Sequence, residues 1–172
     1  IQSDAKIAEM YKGIHCMKKT NALRILETAG IPYSTVTYQW DEDYLDAVSA
    51  AEKLALDPEA VFKTIVMISE ANEIVVCCVP APAHISLKKI KSITGKKIVP
   101  LKLDALQKTT GYVRGGCSPL GMKKQFPTFI DETAELFDTI YVNAGERGQM
   151  VGVAPSDLRT VCSASFCDLT DL

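Results

Sequence analysis

The sequence predicts a mixed α+β domain, and three observations predict it. Helical and strand-like segments alternate at irregular intervals rather than in a regular βαβ array. Two apolar runs, 64–68 and 74–79, flank a polar, turn-like stretch at 69–73 and read as a hairpin. A chain of 172 residues that is 47% hydrophobic and 23% charged has the size and composition of one domain with its own core.

The elements follow in order. Residues 1–16 look unlike the rest, and Met17-Lys18-Lys19-Thr20 reads as the start of the domain. The expected division is an N-terminal extension over 1–16 and a single domain over 17–172. Thr20 is suited to cap a helix running to about Ala29, with Leu23, Leu26 and Ala29 on one face and Gly30 ending it. The stretch 32–40 alternates and is rich in Tyr, Thr and Val, as a strand should be. A second helix is expected over 45–54, with Val48, Ala51 and Leu54 inward. Asp57-Pro58 is a helix start, but only a short one fits before the hairpin. A lysine-rich helix then ends at Gly95, and 97–101 is a short strand. Further strands are expected at 129–131, 140–143 and 150–154, and a last helix at 155–161. The stretch 110–126 is long and irregular, yet too apolar to read as disordered.

Six cysteines are present: Cys16, Cys77, Cys78, Cys117, Cys162 and Cys167. They form no CxxC pair, and the histidines are His15 and His84 alone, a poor inventory for zinc or a disulfide scaffold. Reduced thiols in a cytosolic protein are expected, with no metal and no cofactor. Cys77 and Cys78 should point to opposite faces of one strand. No stretch approaches the roughly 18 apolar residues of a membrane helix, so no membrane partner is expected.

Charge is uneven. Positions 86–126 hold ten basic residues against Asp104 alone, a net +9 in a chain of net −2, which leaves −11 for the remainder. Lys88, Lys89, Lys91, Lys96, Lys97, Lys102, Lys108, Arg114, Lys123 and Lys124 could form a face for a polyanion, or a solvated surface. Aromatic-rich RNA-binding signatures are missing, so any RNA contact would rest on phosphates.

Three places could carry chemistry. Lys63, in Phe62-Lys63-Thr64, could set a cation beside a phosphate or a developing oxyanion, or simply mark a solvated strand end. The run 111–121 holds Gly111, Gly115, Gly116, Pro119 and Gly121, and its backbone could approach a ligand closely. It is not a nucleotide-binding P-loop. Cys117 lies in it, but no histidine is near in sequence to serve as its base. The run Asn143-Ala144-Gly145-Glu146-Arg147-Gly148 reads as a turn between strands, with Arg147 suited to clamp a phosphate or carboxylate.

Taken together these blocks resemble the YbaK/EbsC family of aminoacyl-tRNA deacylases, related to the editing domain of prolyl-tRNA synthetases. The resemblance runs from Lys19 onward, through Lys19-Thr20-Asn21-Ala22, Val61-Phe62-Lys63-Thr64, Leu87-Lys88-Lys89 and Thr110-Gly111-Tyr112. It continues with Gly115-Gly116-Cys117-Ser118-Pro119-Leu120-Gly121, Met122-Lys123-Lys124, Pro127-Thr128-Phe129-Ile130-Asp131 and Gly145-Glu146-Arg147-Gly148.

The resemblance implies a mostly antiparallel, barrel-like sheet surrounded by helices, in a cytoplasmic protein. It implies cleavage of the ester in mischarged Cys-tRNA(Pro), with Cys-tRNA(Cys) or Ala-tRNA(Pro) as further substrates. The partners expected are a mischarged tRNA, chiefly tRNA(Pro), and prolyl-tRNA synthetase. Lys63 and Thr64 take the catalytic places. Tyr38, Gly115, Gly116, Cys117, Ser118, Pro119, Asn143, Gly145, Arg147 and Gly148 take the substrate-binding ones. Asn143 stands where some members have serine and Met150 where some have an acid, which bears on amino-acid preference. The alternative is a non-catalytic adaptor that binds tRNA or a synthetase.

Overall fold

A computed structural model describes residues 19–171, so the division expected at residue 17 lies outside the described residues. Helix α1 (Asn21–Thr28) starts as its sequence predicts. The Thr20 hydroxyl accepts from the Leu23 N–H at 3.3 Å, and Gly30 follows the helix with φ +69°. Ala22, Leu23 and Leu26 are its buried side. The strand expected over 32–40 contracts to β1 (Ser34–Thr37), the part that finds partners on β8 (Gln149–Val153). Helix α2 (Ala47–Leu54) begins later than expected, because the Asp46 carboxylate caps it by accepting from the Ser49 N–H at 2.9 Å.

Asp57 starts only a 3-10 turn (Pro58–Ala60). The hairpin then forms in full from β2 (Phe62–Ser69) and β3 (Ile74–Pro80), with Lys63 opposite Val79 and Thr64 opposite Cys78. After β4 (His84–Ile85), α3 (Leu87–Thr94) is capped by Ser86 and ended by Gly95, and β5 (Ile98–Pro100) pairs with β2.

Helix α4 (Leu103–Thr110) is absent from the sequence reading; Lys102 at its start makes no side-chain cap, so the usual signal is missing. The chain continues through β6 (Thr128–Asp131), a 3-10 turn (Glu132–Leu136), β7 (Ile140–Glu146), β8, α5 (Pro155–Val161), β9 (Ser165–Cys167) and β10 (Thr170–Asp171).

The architecture is α+β, as expected, but the strands do not close into a barrel. A five-stranded sheet runs β5-β2-β3-β6-β9, a three-stranded one β1-β8-β7, and a pair β10-β4. The pairs β3–β6 and β6–β9 are parallel and the others antiparallel. A bridge between Val61 and Tyr141 ties the two larger sheets.

The predicted split of the adjacent cysteines holds. Cys78 joins the cluster of α1, β7 and β8 with Leu26, Phe62 and Val151, while Cys77 faces the opposite one with Met67, Ile90 and Ile98. A third, smaller cluster seats α2 against the sheet: Ala50, Ala51, Val61, Ala81 and Met150, with Tyr38 and Ala47 packed on it. That cluster positions the candidate site.

Candidate active site

Lys63 leaves β2 half-buried, and its ammonium donates to the Ala81 carbonyl at 3.0 Å. Burial pushes its pKa below the usual lysine value, and the Asp46 carboxylate opposes that shift. Asp46 itself is held below the ordinary carboxylate range by hydrogen bonds from the Ser49 hydroxyl and N–H. Tyr38 feels the same carboxylate: burial first, then Asp46, raises its phenol, against a backbone hydrogen bond at Gly148. Lys63, Tyr38 and Asp46 thus form one electrostatic group around the small cluster under α2.

Thr64 stands next to it. Its hydroxyl oxygen is buried and has no hydrogen bond of ordinary geometry. Burial pushes the thiol of its cross-strand partner Cys78 well above the usual value, and the Thr64 hydroxyl partly opposes that shift. The Cys117 thiol acts on Cys78 as well, so Thr64 and Cys117 converge on one buried sulfur.

The glycine run lies over the turn between β7 and β8. Asn143 Nδ2 donates to the carbonyls of Gly115 at 2.8 Å and Glu146 at 3.0 Å, and its Oδ1 accepts from the Gly145 N–H at 2.7 Å. A Cβ on Gly116 would sit 3.2 Å from the Arg147 nitrogen, and one on Gly115 would sit 3.1 Å from Leu45 Cδ2. Arg147 Nε donates to the Arg114 carbonyl at 2.9 Å, and its guanidinium lies 5.1 Å from the centre of the Trp40 ring. The turn is tighter than its sequence implies. β7 runs through Glu146 with a bulge after Asn143, leaving Arg147-Gly148 as the connection. Gly148 has φ +82°, and a Cβ there would come within 2.6 Å of the Tyr38 carbonyl.

Not every predicted residue turns toward this group. Ser118 is 0% exposed and its hydroxyl accepts from the Leu120 N–H. The Gly116 N–H is committed to the Val113 carbonyl at 3.0 Å. The Pro119 carbonyl accepts from the Cys162 thiol, and its ring lines a separate cavity of about 240 Å³ beside Ile25 and Val161. The Cys117 thiol is pushed up to about 12 by burial, with the Thr110 hydroxyl opposing.

Three participants escaped the sequence reading. Asp46 reads there only as a position inside a helix begun two residues too early, although Asp before an apolar helical pattern is an N-cap signal. Ala81 acts through its carbonyl, which no side-chain pattern reveals. Trp40 reads only as the end of the strand-like stretch 32–40.

Residues 41–161 match the aminoacyl-tRNA editing domain. The chain belongs to that family. It is 41% identical over 154 residues to the proposed Cys-tRNA(Pro)/Cys-tRNA(Cys) deacylase EbsC of Enterococcus faecalis, covering 89% of this chain and 94% of that one. The crystal structure of a proposed trans-editing enzyme for prolyl-tRNA synthetase superposes with TM-score 0.76 at 20% identity, covering 87% of this chain and 94% of the other. Hypothetical protein APE2540 superposes with TM-score 0.81 at 16% identity, covering 88% and 100%. At those identities the two structures speak for the fold. The family's fold is thus the mixed, mostly antiparallel α+β arrangement described above.

Proposed function

We propose that this editing-domain protein is a trans-acting deacylase that cleaves the ester of mischarged Cys-tRNA(Pro), in the cytoplasm and without a cofactor. The observation that carries the reading is Lys63: a half-buried ammonium, anchored on the Ala81 carbonyl and facing Asp46, beside Tyr38 and Thr64. An aminoacyl ester is already activated, so positioning and charge stabilisation can suffice. Lys63 would hold the phosphate or ribose region of the terminal adenosine. The amides of Gly115 and Cys117 would polarise the ester carbonyl.

The substrate can supply the nucleophile. Its cysteine thiol attacks its own carbonyl carbon, the bond to the ribose oxygen breaks, and the thiol proton passes to that oxygen. The products are a thiolactone and tRNA with a free terminal hydroxyl. Attack by water instead gives free cysteine.

The test is release of amino acid from Cys-, Ala- and Pro-tRNA(Pro) with protein substoichiometric to substrate. Many turnovers on Cys-tRNA(Pro), and none by Lys63→Ala, are expected. Binding without turnover would make the protein an adaptor.

A further inference from the structure

A groove of about 510 Å³ opens beside the glycine run, and nothing in the reading above uses it. Leu45, Leu103, Leu106 and Val113 form its apolar walls, and Arg114 and Arg147 form its basic side. Leu103 is 58% exposed and Val113 39% exposed, so these walls face solvent rather than core. The groove is continuous with the candidate active site at two points. Leu45 is the side chain pressed on Gly115, and Arg147 is the residue pressed on Gly116. Arg147 is also fixed in place, by its bond to the Arg114 carbonyl and its contact with Trp40.

Apolar walls, a planar guanidinium held still and a second exposed arginine suit a flat, partly apolar group that carries an anion. A nucleotide is such a group: its base packs on apolar and guanidinium surfaces while its phosphate pairs with arginine. Glu42, Asp104 and Gln107 on the rim can accept from the exocyclic amine of a cytosine. A substrate whose ester lies at Gly115-Gly116 must send its preceding nucleotides away from that loop, and the groove begins where the loop ends.

We propose that this groove holds the nucleotide immediately preceding the terminal adenosine in the unpaired 3′ end of the tRNA, with Arg114 on its phosphate. This rests on the deacylase reading and names a further part of the substrate that the same site grips.

The experiment compares two substrates: cysteinyl-tRNA(Pro), and cysteinyl-adenosine, which lacks every preceding nucleotide. Wild-type turnover of cysteinyl-adenosine tests the deacylase reading; its absence together with an inert tRNA substrate defeats that reading, not the groove assignment alone. Leu103→Glu and Arg114→Ala alter exposed side chains, so both variants should fold, which circular dichroism checks. On cysteinyl-tRNA(Pro) each should raise KM about tenfold, and on cysteinyl-adenosine each should match wild type. An equal loss on both substrates would show a structural effect, and no loss on either would leave the groove to another occupant. Either result overturns the proposal.

Discussion

Asn143 holds Gly115 through its side-chain amide at 2.8 Å while gripping two further backbone groups of its own strand bulge, the Glu146 carbonyl and the Gly145 N–H. The side chain is 8% exposed and its polar atoms point at main chain. This residue therefore positions the glycine run. Replacement by alanine removes three hydrogen bonds to the main chain, each contributing about 0.5–1.5 kcal/mol. Asn143→Ala should lower the unfolding midpoint measurably and cut turnover. Asn143→Ser should do the same, because a serine hydroxyl is too short to span both carbonyls.

Gly148 has no room for a side chain. Its φ is +82° and the Tyr38 carbonyl would lie 2.6 Å from a new Cβ. Left-handed strain alone amounts to about 1–3 kcal/mol, and the clash adds to it. Gly148→Ala should destabilise the protein by at least that amount in urea titration. It should also alter the fluorescence of Trp40, the chain's one tryptophan, whose Cδ1 would lie 2.9 Å from the same atom.

Lys63 acts as a cation only while protonated. Its pKa is lowered by burial, against the pull of Asp46, so its charge disappears as pH rises through a value below that of free lysine. Activity should fall on the alkaline side accordingly. Asp46→Asn removes the supporting charge yet keeps a good helix cap. It should move the alkaline limb of the pH–rate profile to lower pH, and an unmoved limb would refute the electrostatic link. The stability effect has a defined sign. The folded state binds fewer protons than the unfolded one between the two pKa values, so stability contributed at this site rises with pH there. Lys63→Met should be inactive yet at least as stable as the parent at neutral pH.

Cys117 is a tempting nucleophile that its surroundings disable. A thiol pushed up to about 12 by burial is almost wholly protonated at neutral pH. Cys117→Ala should keep most activity, and alkylation with iodoacetamide at pH 7 should be slow. A covalent acyl adduct on Cys117, found by mass spectrometry together with a dead alanine variant, would make this a cysteine-dependent esterase. Replacing the substrate's cysteine by serine should slow release, since a hydroxyl is the poorer nucleophile near neutral pH.

The basic segment divides in the fold. Lys89 pairs with Asp168 at 2.9 Å, Lys96 with Glu73, and Lys97 with Glu70 at 3.9 Å. Lys108 and Lys123 meet on the far side of α4 from its start, where Lys123 Nζ donates to the Lys108 carbonyl. tRNA binding should weaken by orders of magnitude between roughly 50 and 200 mM salt. Lys108→Glu with Lys123→Glu should reduce the salt slope more than Lys96→Glu with Lys97→Glu. Equal slopes would show that the pairing does not matter to the partner.

The legible part of this molecule was the part written in local chemistry. The β2–β3 hairpin, the cap at Thr20 and the stop at Gly95 each depend on residues close in sequence. Helix α4 was missed because Lys102 offers no capping side chain, and β4, β9 and β10 because strands of two or three residues leave no periodicity to read. In the site, Lys63, Asn143 and Arg147 stood out by residue type and motif. Their partners Ala81, Gly115 and Arg114 contribute carbonyl oxygens across the fold, and a backbone oxygen has no signature in the sequence.

The pairing of β4 with β10 brings His84 against Asp171, and the Asp131 carboxylate accepts from the Leu169 N–H at 2.9 Å. Both contacts join segments far apart along the chain, and closing such loops is slow relative to forming a hairpin. On a ribosome the β2–β3 hairpin can assemble while later segments are still being made, whereas β4 lacks its strand partner and Asp131 Oδ1 its Leu169 donor until residues 169–171 have emerged. The β4–β10 pairing is thereby a late step of folding, waiting on a segment made long after both strands of the hairpin.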